Sequence, residues 1–103
     1  MTTPKTYQAE IDAELQEIIP AFFDNTRQEI QELAAANAVG DYDTLQRLGH
    51  SIKGAALGYG FADLAEIGLQ IENAARQGRG MDAVKELVQA AQSYIDTVIV
   101  IYR

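Results

Sequence analysis

His50 is the only histidine in this sequence of 103 residues, and it carries the side chain best suited to reversible chemistry near neutral pH. The neutral form of an imidazole has a free nitrogen lone pair and is abundant at that pH. The apolar stripe of the surrounding helical pattern lies nearly opposite His50, so the imidazole should face solvent. We therefore expect His50 to be a nucleophile that is presented to a partner.

Two neighbours on the same predicted helix face, Lys53 and Gly54, indicate what the imidazole would attack. Lys53 lies three residues after His50, where helical side chains share a face, so its ammonium would sit beside a group attached to the ring. A doubly charged phosphoryl group would gain most from that ammonium. A glycine such as Gly54 in a helix interior destabilises the helix by about 1 kcal/mol relative to alanine. Its missing side chain would let the surface of another protein approach. The expected docking surface is completed by Gln46, Arg47 and Leu57.

Glu72 is expected to lie beside His50, on the neighbouring helix. His50 is ten residues before Gly60 and Glu72 is twelve residues after it. In an antiparallel pair that turns at Gly60, a rise of about 1.5 Å per residue places them roughly 15 and 18 Å from the turn. A carboxylate that accepts a hydrogen bond from the imidazole Nδ1–H would hold the tautomer whose Nε2 lone pair points outward.

Apolar residues recur at helical spacing almost throughout the chain, which predicts an all-α protein with one domain over 1–103. A short first helix is expected at about 6–19, because Pro20 would break or kink it. Four longer helices are expected at about 20–38, 43–59, 62–77 and 81–102, separated by turns that contain glycine. The predicted fold is an antiparallel up-down four-helix bundle with the short N-terminal helix as a lid over one end.

Composition narrows the classes of partner and cofactor. A net charge of -7 with only eight Lys and Arg residues disfavours nucleic acids and anionic membranes. The absence of cysteine and the single histidine disfavour a metal site, so no metal ligand and no bound cofactor are expected. No apolar segment approaches the ~20 residues of a spanning helix, and no signal peptide is recognisable. We expect a cytoplasmic monomer.

The motif His50-Ser51-Ile52-Lys53-Gly54, followed by Gly60 and Glu72, resembles the histidine-containing phosphotransfer domain, or HPt domain. The segment from Ser51 to Phe61 is similar to the phosphate-accepting domain of chemotaxis histidine kinases. The resemblance implies a four-helix bundle in which His50 is phosphorylated and Lys53 is its electrostatic neighbour. It also implies that Gly54 is the access position and that Glu72 orients the imidazole.

Two departures from the family pattern concern Gly49, where alanine is frequent, and Ala55-Ala56-Leu57, where small polar residues are more usual. Leu57 makes the expected docking face more apolar than is typical of the family. The departures therefore bear on the choice of partner more than on activity.

The resemblance implies a phosphorelay intermediate of two-component signalling. His50 would accept a phosphoryl group from a phosphoaspartate on a response-regulator receiver domain and pass it to another receiver. Mg²⁺ is expected on the receiver, and a hybrid histidine kinase is a further candidate partner. No kinase or ATP-binding module is expected, because 58–60 lacks a glycine-rich nucleotide loop. Two alternatives stay open: an adaptor or inhibitor bundle that carries no phosphate, and the accepting domain of a larger histidine kinase.

Overall fold

The computed structural model describes residues 7–103, and this part of the chain contains four long helices. Helix α1 spans Ile19–Ala38, α2 spans Tyr42–Tyr59, α3 spans Ala62–Arg76 and α4 spans Asp82–Thr97. Each helix packs against the next, and α1 also packs against α4. Such neighbour packing with short turns is typical of an up-down bundle, so the predicted all-α four-helix fold is confirmed.

The segment before α1 does not form the short helix predicted over 6–19. Residue 6 lies outside the described residues, Gln8–Ile11 forms strand β1, and Ala13–Leu15 makes one turn of 3₁₀ helix. Exposed and buried side chains alternate along β1, which is the two-residue period of a half-buried strand. The prediction was wrong because a segment of four residues with two apolar side chains, Ala9 and Ile11, is too short to distinguish the two periods. Only a partner strand decides between them.

That partner strand comes from the other end of the described chain. Helix α4 ends at Thr97 rather than at the predicted residue 102, and Ile99–Tyr102 forms strand β2. β2 is parallel to β1, with Gln8 opposite Ile99. A run of β-branched and aromatic residues favours extended backbone. The backbone N–H and C=O groups of β2 then form hydrogen bonds with β1 in place of the hydrogen bonds that a longer helix would make within itself.

The core lies between the four helices and extends beneath β1. Its fully buried large side chains include Ile11, Leu33, Leu45, Ile52, Phe61, Leu64, Ile71, Val84 and Tyr94. Phe22 stacks on Phe61 with ring centroids 5.2 Å apart, and Tyr94 meets Phe61 edge-on. Burial raises the pKa of Tyr94 to about 12, so its phenol stays neutral inside the bundle.

Two capping interactions fix the ends of α2, the helix that carries His50. At its start, the Asp41 side chain accepts hydrogen bonds from the backbone N–H and the hydroxyl of Thr44, which satisfies one of the unpaired donors of a helix N-terminus. At its end, Gly60 adopts a left-handed conformation with a φ of 98°. Gly60 therefore sets the direction in which the chain enters α3.

Substituting Gly60 with alanine should lower the free energy of unfolding by about 1–2 kcal/mol, because a left-handed backbone costs that much for a residue with a Cβ. The new Cβ would also lie 3.2 Å from the Ile11 side chain. Urea denaturation of the purified chain measures the change. Gly58→Ala is the matched control, since its Cβ would meet open space and alanine favours a helix interior. Equal stability of Gly60→Ala and the unsubstituted chain would contradict this account of the turn.

Candidate functional site

His50 and Glu72 meet between α2 and α3. Nδ1 of His50 lies 2.8 Å from Oε2 of Glu72, which is a hydrogen-bond distance. The His50 side chain is 66% exposed, whereas that of Glu72 is 6% exposed. An Nδ1–H that donates to the carboxylate leaves the Nε2 lone pair of the neutral ring available to solvent. The two side chains are thus arranged as an exposed imidazole with a buried anion behind it.

Glu72 is shared by three nitrogen-bearing side chains. Besides His50, the Lys53 ammonium lies 3.1 Å from Oε1, and the Arg76 guanidinium lies 3.6 Å from Oε2. Burial of Glu72 opposes its ionisation, but the hydrogen bonds from Lys53 and His50 outweigh that effect and hold the pKa of Glu72 below its usual value. The site is therefore built around a carboxylate that stays ionised at neutral pH.

Lys53 has a more specific environment than the sequence predicts. It lies on the helix face of His50, as its spacing indicates, but its ammonium bonds to Glu72 and its side chain is only 26% exposed. The positive charge beside the imidazole is therefore balanced by the Glu72 carboxylate. The contact between Arg76 and Glu72 was not predicted, although Arg76 follows Glu72 by four residues, the spacing of helical neighbours.

The state of Glu72 predicts how stability depends on pH. A carboxyl group whose pKa is lower in the folded than in the unfolded chain stabilises the fold above its unfolded pKa, and that contribution is lost as pH falls through the folded pKa. We expect the Glu72→Gln variant to be less stable than the unsubstituted chain at pH 7 and the difference to shrink below the ordinary value of 4.5. Urea unfolding of both proteins across this range measures it. A difference that is constant with pH would contradict the ionised state of Glu72.

Two glycines bring the backbones of α2 and α3 into contact beside the site. A Cβ added to Gly68 would lie 2.8 Å from the Gly49 carbonyl oxygen and 2.8 Å from the backbone nitrogen of Lys53. A Cβ added to Gly49 would lie 2.8 Å from the backbone nitrogen of Glu72. Neither glycine was predicted to have this role. The signal in the sequence is that each lies close along its helix to a predicted site residue, Gly49 beside His50 and Gly68 four residues before Glu72.

The surface around His50 is an open cleft of about 290 Å³ lined by Asp43, Gln46, Arg47, His50 and Glu72. Further along α2, a Cβ on Gly54 would meet no atom within 4 Å, and Leu57 is 61% exposed. The structure therefore brings the predicted docking residues to one surface with His50. Asp43, which was not predicted to belong to this surface, also lines the cleft from the first turn of α2.

None of the helices α1–α4 is both long enough and apolar enough to cross a bilayer. Within residues 7–103, no three side chains of the histidine and carboxylate types come together in a way that would hold a metal ion.

A protein-family model described as the Hpt domain matches residues 17–99, a range that contains all four helices of the bundle. The chain belongs to the Hpt domain family. Comparisons with curated proteins and with solved structures found no significant match. Hpt domains are phosphotransfer modules of two-component signalling that interact with response-regulator receiver domains and have no kinase activity of their own. The match excludes β1 and nearly all of β2, so the strand pair lies outside the part that defines the family.

Proposed function

We propose that this Hpt domain is a phosphorelay intermediate that accepts a phosphoryl group on His50 from a receiver-domain phosphoaspartate and passes it to a second receiver. The observation that supports the proposal is an exposed imidazole whose Nδ1 is bonded to the buried carboxylate of Glu72. Only Nε2 of such a ring is free to attack an incoming group. The buried anion also stabilises the positive charge that the ring acquires on phosphorylation.

In the proposed reaction, the Nε2 lone pair attacks the phosphorus atom of the aspartyl phosphate. The phosphorus–nitrogen bond forms as the phosphorus–oxygen bond to the aspartate breaks, and the aspartate leaves as a carboxylate. Nδ1–H stays hydrogen-bonded to Glu72 throughout, and the return of the phosphoryl group to another receiver reverses the step. Phosphoryl transfer depends on in-line positioning and on neutralising charge. This chain supplies the nucleophile, and we assign the Mg²⁺ ion to the receiver.

The cationic side chains near His50 have separate tasks in this proposal. Lys53 bonds to Glu72 in the unphosphorylated chain, and it lies close enough along α2 to turn towards a phosphoryl dianion on Nε2. Arg47 lines the cleft that opens beside His50. Together they favour the arrival of a doubly negative group on a protein whose net charge is -7.

The docking face is formed by the surface that surrounds His50. The absent side chain of Gly54 allows the receiver to approach the ring, and the exposed Leu57 offers an apolar contact. Gln46 and Arg47 border the cleft on the other side of His50. We propose that the chain acts in the cytoplasm as a monomer, with one receiver at a time on this face.

A transfer assay tests the proposal. Purified receiver domains of the source organism are phosphorylated with a small labelled phosphodonor, freed of the donor and mixed with this chain in the presence of Mg²⁺. We expect the label to move to this chain and then to a second, unlabelled receiver. Binding to receivers without any transfer of label would instead support the adaptor or inhibitor alternative.

A further inference from the structure

We propose that Gly49 and Gly68 are positioning residues, because the backbone contact they allow sets the separation at which Nδ1 of His50 reaches the carboxylate of Glu72. The inference rests on the proposed function only for its effect on phosphoryl transfer. The effect of the two glycines on the distance between His50 and Glu72 concerns the unphosphorylated chain, and the tautomer of His50 reports it separately.

The contact leaves no room for a side chain on either glycine. Both residues are buried, and an added Cβ would come within 3.0 Å of backbone atoms on the facing helix. A clash with the tip of a flexible side chain is relieved by rotation, but a clash with backbone requires one helix to move. For Gly68, opening the gap from 2.8 Å to the 3.4 Å at which ordinary contact begins requires a shift of about 0.6 Å, a displacement that a close-packed interior resists.

The displacement would fall directly on the site. Gly49 precedes His50, Gly68 lies one helical turn before Glu72, and the clashing atoms include the backbone nitrogens of Lys53 and Glu72. The hydrogen bond between His50 and Glu72 is 2.8 Å long. A separation increased by several tenths of an ångström takes it past the roughly 3.2 Å limit of a good hydrogen bond. Proximity of the two backbones is therefore a condition for the pairing of the two side chains.

The requirement is specific to these two glycines. Gly58 also lies in α2, and a Cβ on it would meet no atom within 4 Å. Substituting Gly58 with alanine should strengthen α2 without changing the distance between the helices. Gly58→Ala therefore serves as the matched control and as a stabilised background in which Gly68→Ala is more able to fold.

The first measurement is the tautomer of His50, read from the ¹⁵N chemical shifts of its imidazole at a pH where the ring is neutral. The assignment is direct because the chain has one histidine. We expect the unsubstituted chain and Gly58→Ala to carry the proton mostly on Nδ1. Adding Gly68→Ala should move the proton from Nδ1 towards Nε2, as Glu72→Ala does by removing the acceptor. Combining Gly68→Ala with Glu72→Ala should cause no further shift, as expected for residues that act through one interaction.

The second measurement is the rate of phosphoryl transfer within the Gly58→Ala background. Adding Gly68→Ala should slow transfer about tenfold, as adding Glu72→Gln does, and the two effects should not multiply. Should Gly68→Ala not fold in this background, Gly49→Ala replaces it with the same expectations.

A folded Gly68→Ala or Gly49→Ala variant that keeps the Nδ1–H tautomer would overturn the inference, as would a tautomer shift that adds to that of Glu72→Ala. Failure of the proposed function gives a different result. In that case the tautomer would respond to the glycine substitutions as expected, but the unsubstituted chain would accept no phosphoryl group from any receiver.

Discussion

Replacing His50 with glutamine should abolish phosphoryl transfer to this chain while leaving the bundle folded. His50 is the only imidazole in the sequence, and no cysteine is present to offer a thiolate nucleophile. Its side chain is 66% exposed, so the bundle should stay folded, with a loss of about 1–3 kcal/mol in the free energy of unfolding because the buried Glu72 loses one hydrogen-bond partner. The glutamine amide has no basic lone pair that could attack phosphorus. Labelled phosphoryl on the chain measures transfer, and a urea titration measures folding.

Ser51→Ala is the matched control for this substitution. The Ser51 hydroxyl is an alternative acceptor next to His50 in sequence, and in the structure it donates a hydrogen bond to Glu29 of α1. We expect Ser51→Ala to accept label at the rate of the unsubstituted chain. Label on folded His50→Gln, or its loss in Ser51→Ala, would assign the phosphoryl group to another side chain.

Substituting Glu72 with glutamine should slow transfer about tenfold without unfolding the chain. Glutamine has the shape of glutamate, so the buried position stays filled, but the negative charge behind the imidazole is lost. A hydrogen bond to a charged group contributes about 1.5–3 kcal/mol, and about 1.4 kcal/mol of lost transition-state stabilisation corresponds to a tenfold lower rate. Single-turnover transfer from a phosphorylated receiver measures the change.

Glu66→Gln is the matched control for Glu72→Gln. Glu66 lies on the same helix, α3, but it is exposed and its carboxylate accepts a hydrogen bond from Gln70 rather than from a site residue. The substitution removes the same charge from the protein as a whole, so a general effect of net charge would appear in both variants. Equal transfer rates for Glu72→Gln and the unsubstituted chain would remove the orienting role from Glu72.

The sequence predicted best those elements whose boundaries have a local chemical cause. Gly60, with its left-handed φ, ends α2 where it was expected to end, and α3 begins at the predicted residue. The start of α2 was predicted one residue late, at residue 43, whereas Asp41 caps a helix that begins at Tyr42. Local signals of this kind act within a few residues and do not depend on the rest of the fold.

The two strands were missed because their cause is not local. Gln8–Ile11 and Ile99–Tyr102 lie about 90 residues apart, and each becomes extended through pairing with the other. The apolar stripe that predicted a helix to residue 102 does continue in sequence, but Val98 already has an extended conformation. Neither segment alone reveals the pairing.

In the candidate site, too, the features with a local cause were predicted and those that depend on the packing of the helices were not. The level of Glu72 beside His50 was predicted from residue counts around Gly60, because a helix has a fixed rise. The sharing of Glu72 by Lys53 and Arg76 depends on how the side chains turn at the interface. The contact between Gly49 and Gly68 depends on where α2 and α3 lie closest to each other. Residue counts along the chain do not predict that position.

We propose that Nε2 of His50 bears the phosphoryl group while Nδ1 is held by Glu72. ³¹P and ¹⁵N NMR of the ¹⁵N-labelled chain, after transfer from a phosphorylated receiver, identifies the atom directly. We expect a phosphorus atom coupled to Nε2 of His50 and an Nδ1 that keeps its proton. A phosphoryl group on Nδ1, or on any other residue, would contradict it.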